Sequence, residues 1–373
     1  MLTVERLPLQ AVTPEHLAAS AGIALAEARK IVAQVHRGEP VAATSSVRRV
    51  AAEAVRAIGE VPVLEVVAET PSQLDPFVKY LLAGADGARF EAVRIPLEHR
   101  DRFSVCVSSQ VGCALGCAFC ATGTTGLARN LAAWEIVEQV RVVRARLPHG
   151  VPVPGTVGPR SGASSLRSDT RTISRPRVHG VVFQGMGEPL ANLDAVLDAI
   201  AVFQEPSALG IDARAITVCT AGLPHGIRKL ADRAPKVRLG LSIHTALADR
   251  RKSIMPIAKA HPLDEVIAAC ADHARATGLS PMWAVTLLAG VNDSDDDARA
   301  LAAIATKFAA GTGRAPRISI IAYNASSDSG GDAFMRSDRE VEYRAALGLP
   351  SHRRYSGGSD VAAACGQLAA RTL

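Results

Sequence analysis

Aromatic side chains make up only 4% of this 373-residue chain, so a binding surface built mainly on base-stacking platforms is disfavoured. No apolar run approaches the ~18 residues that a bilayer span requires. The first ten residues carry Glu5 and Arg6 where a secretory leader would have an apolar core. No membrane partner is expected, and the cytoplasm is the expected compartment. A disulfide framework is missing too: seven cysteines is an odd number, and they are unevenly clustered, so thiol chemistry or metal ligation is the better reading. Acidic residues are in the minority, 36 against 42 Lys and Arg, and the net charge of +6 favours a polyanionic partner. What the chain does have is a 48% hydrophobic composition, ample for one large core with a smaller appendage.

Apolar spacing of three and four residues (Leu17, Ala18, Ala24, Ala28, Ile31, Val32, Val35) predicts a small helical module within residues 1–58, with a basic surface at Arg48, Arg49 and Arg56. Residues 59–105 read as a β-rich lead-in, with strands at Val61–Val67, Ala92–Ile95 and Phe103–Val107. From 106 to 345 helices and strands alternate. Helices are predicted at Trp134–Leu147, Leu193–Phe203, His225–Asp232, Leu263–Thr277 and Asp295–Ala310. Strands are predicted at Val181–Gln184, Ala215–Cys219, Val237–Ile243, Met282–Leu288 and Arg317–Ala322. Repeated βα units imply a parallel sheet, so the expected fold is α/β, a partial barrel whose site lies at the carboxyl ends of the strands. Residues 149–178 interrupt the rhythm with prolines, glycines and five arginines from Arg160 to Arg177, and read as a flexible insertion. Residues 346–373 form a last segment.

The sharpest local signal is Cys113-Ala-Leu-Gly-Cys117-Ala-Phe-Cys120. Three thiolates leave one metal position open, whereas a closed site wants four protein ligands. One reading is a structural zinc completed by His99 or His149. The other is a [4Fe–4S] cluster with one iron free. Gly185-Met186-Gly187-Glu188-Pro189 follows a predicted strand: the glycines let backbone amides approach a ligand, and Glu188 offers a carboxylate. Cys219, Ser242, Ile243, His244 and Asn324 also fall at strand ends, as expected for cofactor contacts.

The C-x3-C-x2-C spacing resembles that of the radical S-adenosylmethionine (SAM) superfamily. With Cys106-Val-Ser-Ser-Gln-Val-Gly-Cys113, Ala121-Thr-Gly123, Arg129-Asn-Leu131, Gly290-Val-Asn-Asp-Ser294 and Ala363-Ala-Cys365-Gly-Gln-Leu368, the chain from about Glu91 onward resembles the radical SAM RNA adenine methyltransferases. The resemblance implies a partial (β/α)6-type barrel with a [4Fe–4S] cluster on Cys113, Cys117 and Cys120, and SAM contacts at Gly187, Glu188, Cys219, Ser242, Ile243, His244 and Asn324. It implies methylation of adenosine carbon 2 in 23S rRNA and also in tRNA. Two SAM are used per turnover: one methylates Cys365, and the other yields a 5′-deoxyadenosyl radical that abstracts hydrogen from the S-methyl group. Cys106 is then expected to attack Cys365 and form a transient disulfide, and Glu91 to act as general base. The N-terminal module would help hold RNA, an electron donor such as flavodoxin or ferredoxin would serve the cluster, and a monomer is expected.

Three alternatives stay open. The same cysteines serve methylation at carbon 8, a divergent relative could bind RNA without methylating it, and a radical enzyme could act on a peptide or small molecule. The chain departs from the family pattern at Cys219 (usually Ser), Ala258, Ala284, Val285, Tyr355 and Gly357, which places the RNA target in question while leaving the radical machinery intact. Cys270 reads as plain core.

Overall fold

The computed structural model describes residues 6–99, 101–148, 176–325 and 333–370. The N-terminal helical spacing resolves into α1 (Pro14–Ala21), α2 (Leu25–His36) and α3 (Arg49–Ile58). Thr13 starts α1 by accepting the His16 amide on its hydroxyl, and Gly22 ends it in the left-handed region. Ala28, Ile31, Val32 and Val35 form the buried stripe of α2. Arg48 is exposed, as expected, and also pairs with the buried Glu27: its amide and two guanidinium nitrogens donate to that carboxylate at 2.8 to 2.9 Å. The pairing holds Glu27 well below the usual carboxylate range, at about 2. Parallel pairing of β1 (Leu7–Pro8) with β2 (Gly59–Glu60) closes the module.

The lead-in supplies β3 (Glu65–Pro71), β4 (Val78–Ala83), β5 (Arg89–Pro96) and β6 (Arg102–Val107), an antiparallel run. It is continuous with the barrel sheet, because β6 pairs in parallel with β9. Between them β7 (Gln110–Cys113) and β8 (Gly126–Asn130) pair antiparallel on either side of the cysteines and of the one-turn α4 (Ala121–Thr124). Next come β9 (Arg177–Phe183), β10 (Ile216–Thr220), β11 (Arg238–Ser242), β12 (Met282–Leu287), β13 (Arg317–Ala322) and β14 (Ser351–Arg354). Each is parallel to the one before, giving a single ten-stranded sheet in the order β14-β13-β12-β11-β10-β9-β6-β5-β4-β3. The connecting helices are α5 (Ala133–Ala145), α6 (Leu193–Gln204), α7 (Pro224–Arg233), α8 (Ala248–Ile254), α9 (Leu263–Thr277), α10 (Asp295–Thr312) and α11 (Glu340–Leu347). Arg141 on α5 donates to the Val35 carbonyl at 2.9 Å and so ties the helical module to the barrel. No helix among the described residues is long and apolar enough to cross a membrane.

Several boundaries differ from the sequence reading. Val61–Leu64 stay outside β3, and β4 was not expected because Val78-Lys-Tyr-Leu-Leu-Ala lacks strand alternation and is buried on both faces. Arg177 and Val178 belong to β9, so the insertion ends earlier than expected, and residues 149–175 lie outside the described residues. The last segment joins the sheet through β14, whose Ser-His-Arg-Arg carries no apolar pattern. Cys270 is fully buried, as expected of a core residue.

Trp283 on β12 is fully buried, with its ring edge-on to Phe308 of α10 at 5.1 Å and its indole N–H without a hydrogen-bond partner among the described residues. Trp283→Ala is expected to destabilise by about 3–5 kcal/mol. Trp283→Phe, which keeps the ring contact and removes the unpaired N–H, should cost much less; thermal midpoints of the two variants check this.

Candidate active site

Cys113 closes β7, and Cys117 and Cys120 follow in the loop before α4. Strand ends fix this loop through buried polar side chains. The Ser108 hydroxyl donates to the Glu91 carbonyl at 2.6 Å and accepts the Met186 amide at 2.9 Å. The amides of Ser109 and Gln110 donate to the Met186 carbonyl at 2.9 and 3.2 Å. Gln110 accepts the Glu188 amide at 2.8 Å and donates to Asn130 at 2.7 Å, while Asn192 donates to the carbonyls of Ser109 and Leu131 at 2.8 and 2.7 Å. Ser-Ser-Gln, Gly-Met-Gly-Glu and Arg-Asn-Leu, far apart in sequence, are therefore one hydrogen-bonded unit, in which each buried bond left unmade costs about 1–3 kcal/mol. Gly187 sits at φ 96°, and a Cβ there would stand 2.5 Å from Gln110 Cβ, so only glycine fits.

The three cysteines line one cavity together with Gly187, Glu188, Cys219, Ser242, His244 and Cys365. Burial pushes the thiols of Cys113 to about 11 and Cys117 to about 12, and raises Cys120 as well. Among the described residues no three such groups converge on a point where a single metal ion would sit. A mononuclear zinc would need that convergence, whereas three thiols that each bind a different iron do not. His149, one candidate for a fourth zinc ligand, lies outside the described residues.

Glu188 receives the amides of Leu190 and Ala221 at 3.0 and 2.8 Å, yet burial still raises it to about 7. His244 has left-handed backbone (φ 55°) and accepts the Thr286 amide on Nδ1 at 3.1 Å. That bond puts the ring proton on Nε2. Burial, with nearby Arg251 adding to it, pushes His244 down to about 3, so it stays neutral. Ser242 lines the cavity, but the Ile243 side chain is core, and its carbonyl accepts Arg251 Nη1 at 2.5 Å. Arg251, which the sequence reading did not single out, also donates from Nη2 to the Ala221 carbonyl at 2.6 Å, bracing two strand ends.

Asn324 does not line this cavity. It donates to the Cys365 carbonyl at 3.2 Å and to Ser356 Oγ at 3.4 Å, and Ser356 Oγ in turn accepts the Cys365 amide at 2.7 Å. Residues 365–368 form a strap over the cysteine loop: the Ala121 amide donates to the Gly366 carbonyl at 2.7 Å and the Thr122 hydroxyl to the Leu368 carbonyl at 2.5 Å. Behind the strap a second cavity is lined by Cys106, Arg354, Tyr355, Gly357 and Cys365. Cys365 thus lines both cavities. Of the departures from the family pattern, Ala284 lines the first cavity, Tyr355 and Gly357 the second, and Val285 is core. Arg354 went unnoticed in the sequence because it lies in β14, where no apolar alternation marks a strand.

Glu91 lines neither cavity. It is fully buried, with Oε1 in an ion-pair contact 3.1 Å from Lys79 Nζ that lacks hydrogen-bond alignment, and with Oε2 accepting the amides of Ala369 and Ala370 at 2.9 and 3.1 Å. The carboxylate expected to act as a base holds the strap in this state.

The fold recurs in a radical SAM methyltransferase from Sphaerobacter thermophilus, which superposes with a TM-score of 0.79 over 98% of this chain and 100% of its own, at 31% identity. The fold and site define this chain as a radical SAM methyltransferase. A probable RNA methyltransferase of Sorangium cellulosum, sce3898, is 54% identical over 95% of this chain and 90% of its own length. A probable dual-specificity RNA methyltransferase RlmN of Moorella thermoacetica is 35% identical over 97% of both. The chain belongs to the RlmN-type family of radical SAM RNA methyltransferases. No family model matches it. The family's cofactors are a [4Fe–4S] cluster and SAM, and the residues present fit both: three thiols share one cavity with a buried carboxylate that has no cationic partner among the described residues and with a neutral imidazole donor.

Glu91→Gln leaves Lys79 buried without a counter-charge and is expected to cost about 3–5 kcal/mol. Limited proteolysis should also cut the C-terminal strap faster. The double variant Lys79→Met/Glu91→Met should recover thermal stability but not protection of the strap, since the amides of Ala369 and Ala370 stay unpaired.

Proposed function

We propose that this enzyme methylates carbon 2 of an adenosine in 23S rRNA, and in tRNA, through an S-methyl group on Cys365 and a transient Cys106–Cys365 disulfide, using two SAM per turnover. The observation that carries this reading is the position of Cys365, which lines the cavity of Cys113, Cys117 and Cys120 on one side and that of Cys106 on the other. A carrier thiol needs that placement, because it must be loaded in one chamber and discharged in the other. Cys113, Cys117 and Cys120 would hold the cluster, and Gly187, Glu188, Ser242 and His244 would hold SAM. When bound, these groups supply an electrophilic methyl and, after one-electron cleavage, a carbon radical that abstracts hydrogen.

Cys365 takes the methyl by displacement, and after hydrogen loss its methylene carbon adds to the electron-poor amidine carbon of adenine, which no methyl cation donor alkylates directly. As the carbon-2 proton leaves, the adduct's unpaired electron would return to the cluster held by Cys113, Cys117 and Cys120. Cys106 then attacks the Cys365 sulfur: an S–S bond forms, the sulfur–methylene bond breaks, and its electron pair stays on the methylene carbon, which takes up a proton to become the methyl group. Glu91 takes the base proton once the amides of Ala369 and Ala370 have withdrawn from it. A flavodoxin- or ferredoxin-like carrier would supply the electron. The net charge of +6 supports a polyanionic substrate.

Anaerobic reconstitution and incubation of rRNA fragments with methyl-labelled SAM should yield labelled 2-methyladenosine on nucleoside mass spectrometry. Label at carbon 8 would overturn the regiochemistry, and unchanged product from Cys365→Ala would overturn the carrier. Cys106→Ala should stall with RNA covalently attached to Cys365, seen as a nuclease-sensitive mass shift.

Glu188 is raised to about 7, so an ammonium group beside it must favour the ionised carboxylate. The sign follows: binding lowers the Glu188 pKa, releases a proton near neutral pH, and weakens as pH falls below about 7. Calorimetry of S-adenosylhomocysteine binding in buffers of different ionisation enthalpy should show that proton release in the parent and lose it in Glu188→Gln.

A further inference from the structure

Cys219 has no part in the chemistry above beyond standing in the cavity wall. Register fixes where it sits: Cys106 pairs with Val182 of β9, and Val218 pairs with Phe183 of the same strand. Cys106 and Cys219 therefore flank β9 with their side chains on one face of the sheet. Two strand spacings amount to about 10 Å. That exceeds the ~7 Å Cα separation a disulfide tolerates. The two cannot bond to each other directly, but Cys365 lines the first cavity with Cys219 and the second with Cys106.

Two further features surround these sulfurs. Gly240 opposite Cys219 leaves its sulfur space, since a Cβ there would stand 2.8 Å from Sγ, and the thiol donates to Gln184 Oε1 at 3.8 Å. Arg354 interacts electrostatically with Cys106, Cys219 and Cys365 together, and its Nη1 is buried with no hydrogen-bond partner among the described residues. Burial pushes the Cys219 thiol up to about 12, and a guanidinium with a donor to spare offsets part of the cost of forming its thiolate.

We propose that Cys219 is a third redox thiol of this site, which takes Cys365 over from Cys106 by thiol–disulfide exchange. This rests on the reading that Cys106 and Cys365 form a disulfide. Cys219, as thiolate, attacks the Cys365 sulfur; the Cys219–Cys365 bond forms as the Cys106–Cys365 bond breaks. The bonding pair leaves with Cys106, which takes up a proton in place of the one Cys219 gave up. No electrons are gained or lost, so no further oxidant is needed. Arg354 faces the charged sulfur before and after the exchange. The exchange returns Cys106 to a thiol in the second cavity and stores the disulfide on the cofactor side. A ligand filling the first cavity separates Cys219 from Cys365, so the exchange belongs to the interval when that cavity is empty.

The test uses cluster-loaded enzyme, prepared anaerobically and shown by intact mass to carry unmethylated Cys365. It is treated with limiting diamide, quenched with N-ethylmaleimide, and digested without reduction for mass spectrometry. Two linked peptides are expected, Cys106–Cys365 and Cys219–Cys365, with the second lost in Cys219→Ser and on addition of S-adenosylhomocysteine. In Cys106→Ser, Cys365 should be found linked to Cys219. In Arg354→Met the Cys219–Cys365 peptide should accumulate more slowly. If the parent enzyme forms Cys106–Cys365 while Cys365 of Cys106→Ser stays fully alkylatable, the third thiol is refuted and the methyl-carrier reading stands. If the parent enzyme forms no Cys106–Cys365 link, both fall.

Discussion

The amide of Ala121 donates to the Gly366 carbonyl and the hydroxyl of Thr122 to that of Leu368, so the end of the chain is bolted to the loop that carries three cysteines. Closing a connection across some 240 residues carries an entropic cost, but one that grows only as the logarithm of loop length. The strap then defines the chemistry on both sides. In front of it lies the cavity of the three cysteines, behind it the cavity of Cys106, and Cys365 lines both, as does Cys120 of the cysteine loop.

Burial sets the electrostatic character of the site more than any charged neighbour does. It raises the cysteine thiols and Glu188 and lowers His244 and Arg251, each shift favouring the neutral form. The protein groups of the site are thus poised against charge, and the cofactors would bring the opposite signs. A metal cluster replaces thiol protons, and a cationic amino group pairs with a carboxylate already held by two backbone amides. Arg251 is the exception that supports the rule. It stays buried because carbonyls of Ala221, Ser242 and Ile243 accept its guanidinium, and in doing so it fixes the strand ends that face the cofactor cavity.

Much of this was legible in the sequence because the βα repeat announces itself in apolar runs separated by helical spacing. Leu263–Thr277 and Arg317–Ala322 are found as expected. The cysteine triplet and Gly-Met-Gly-Glu were legible because their chemistry is local. Asn324 and Glu91 were harder, since a polar residue near a strand end reads as a ligand contact, and only three-dimensional structure shows that each holds the strap. Arg354 and β14 escaped notice for another reason: an edge strand of Ser-His-Arg-Arg has no apolar period, and its place is set by register with β13.

The pinning of Cys365 constrains how it can work. With its amide bound by Ser356 and its carbonyl by Asn324, the residue keeps a single free torsion, so its sulfur moves among three staggered positions and no further. That suffices to pass between two cavities that share it as a wall. It does not suffice to leave room for an RNA base that must itself enter behind the strap. The larger movement has to come from the strap, and the strap is held at its far end by Glu91. One oxygen accepts two backbone amides and the other, without an aligned hydrogen bond, is buried beside Lys79, so neither faces a cavity while the strap is closed. Strap release and the unmasking of Glu91 are therefore one event. In the proposed reaction the base would become available only when the second cavity opens, which would tie the proton step to the substrate that opens it.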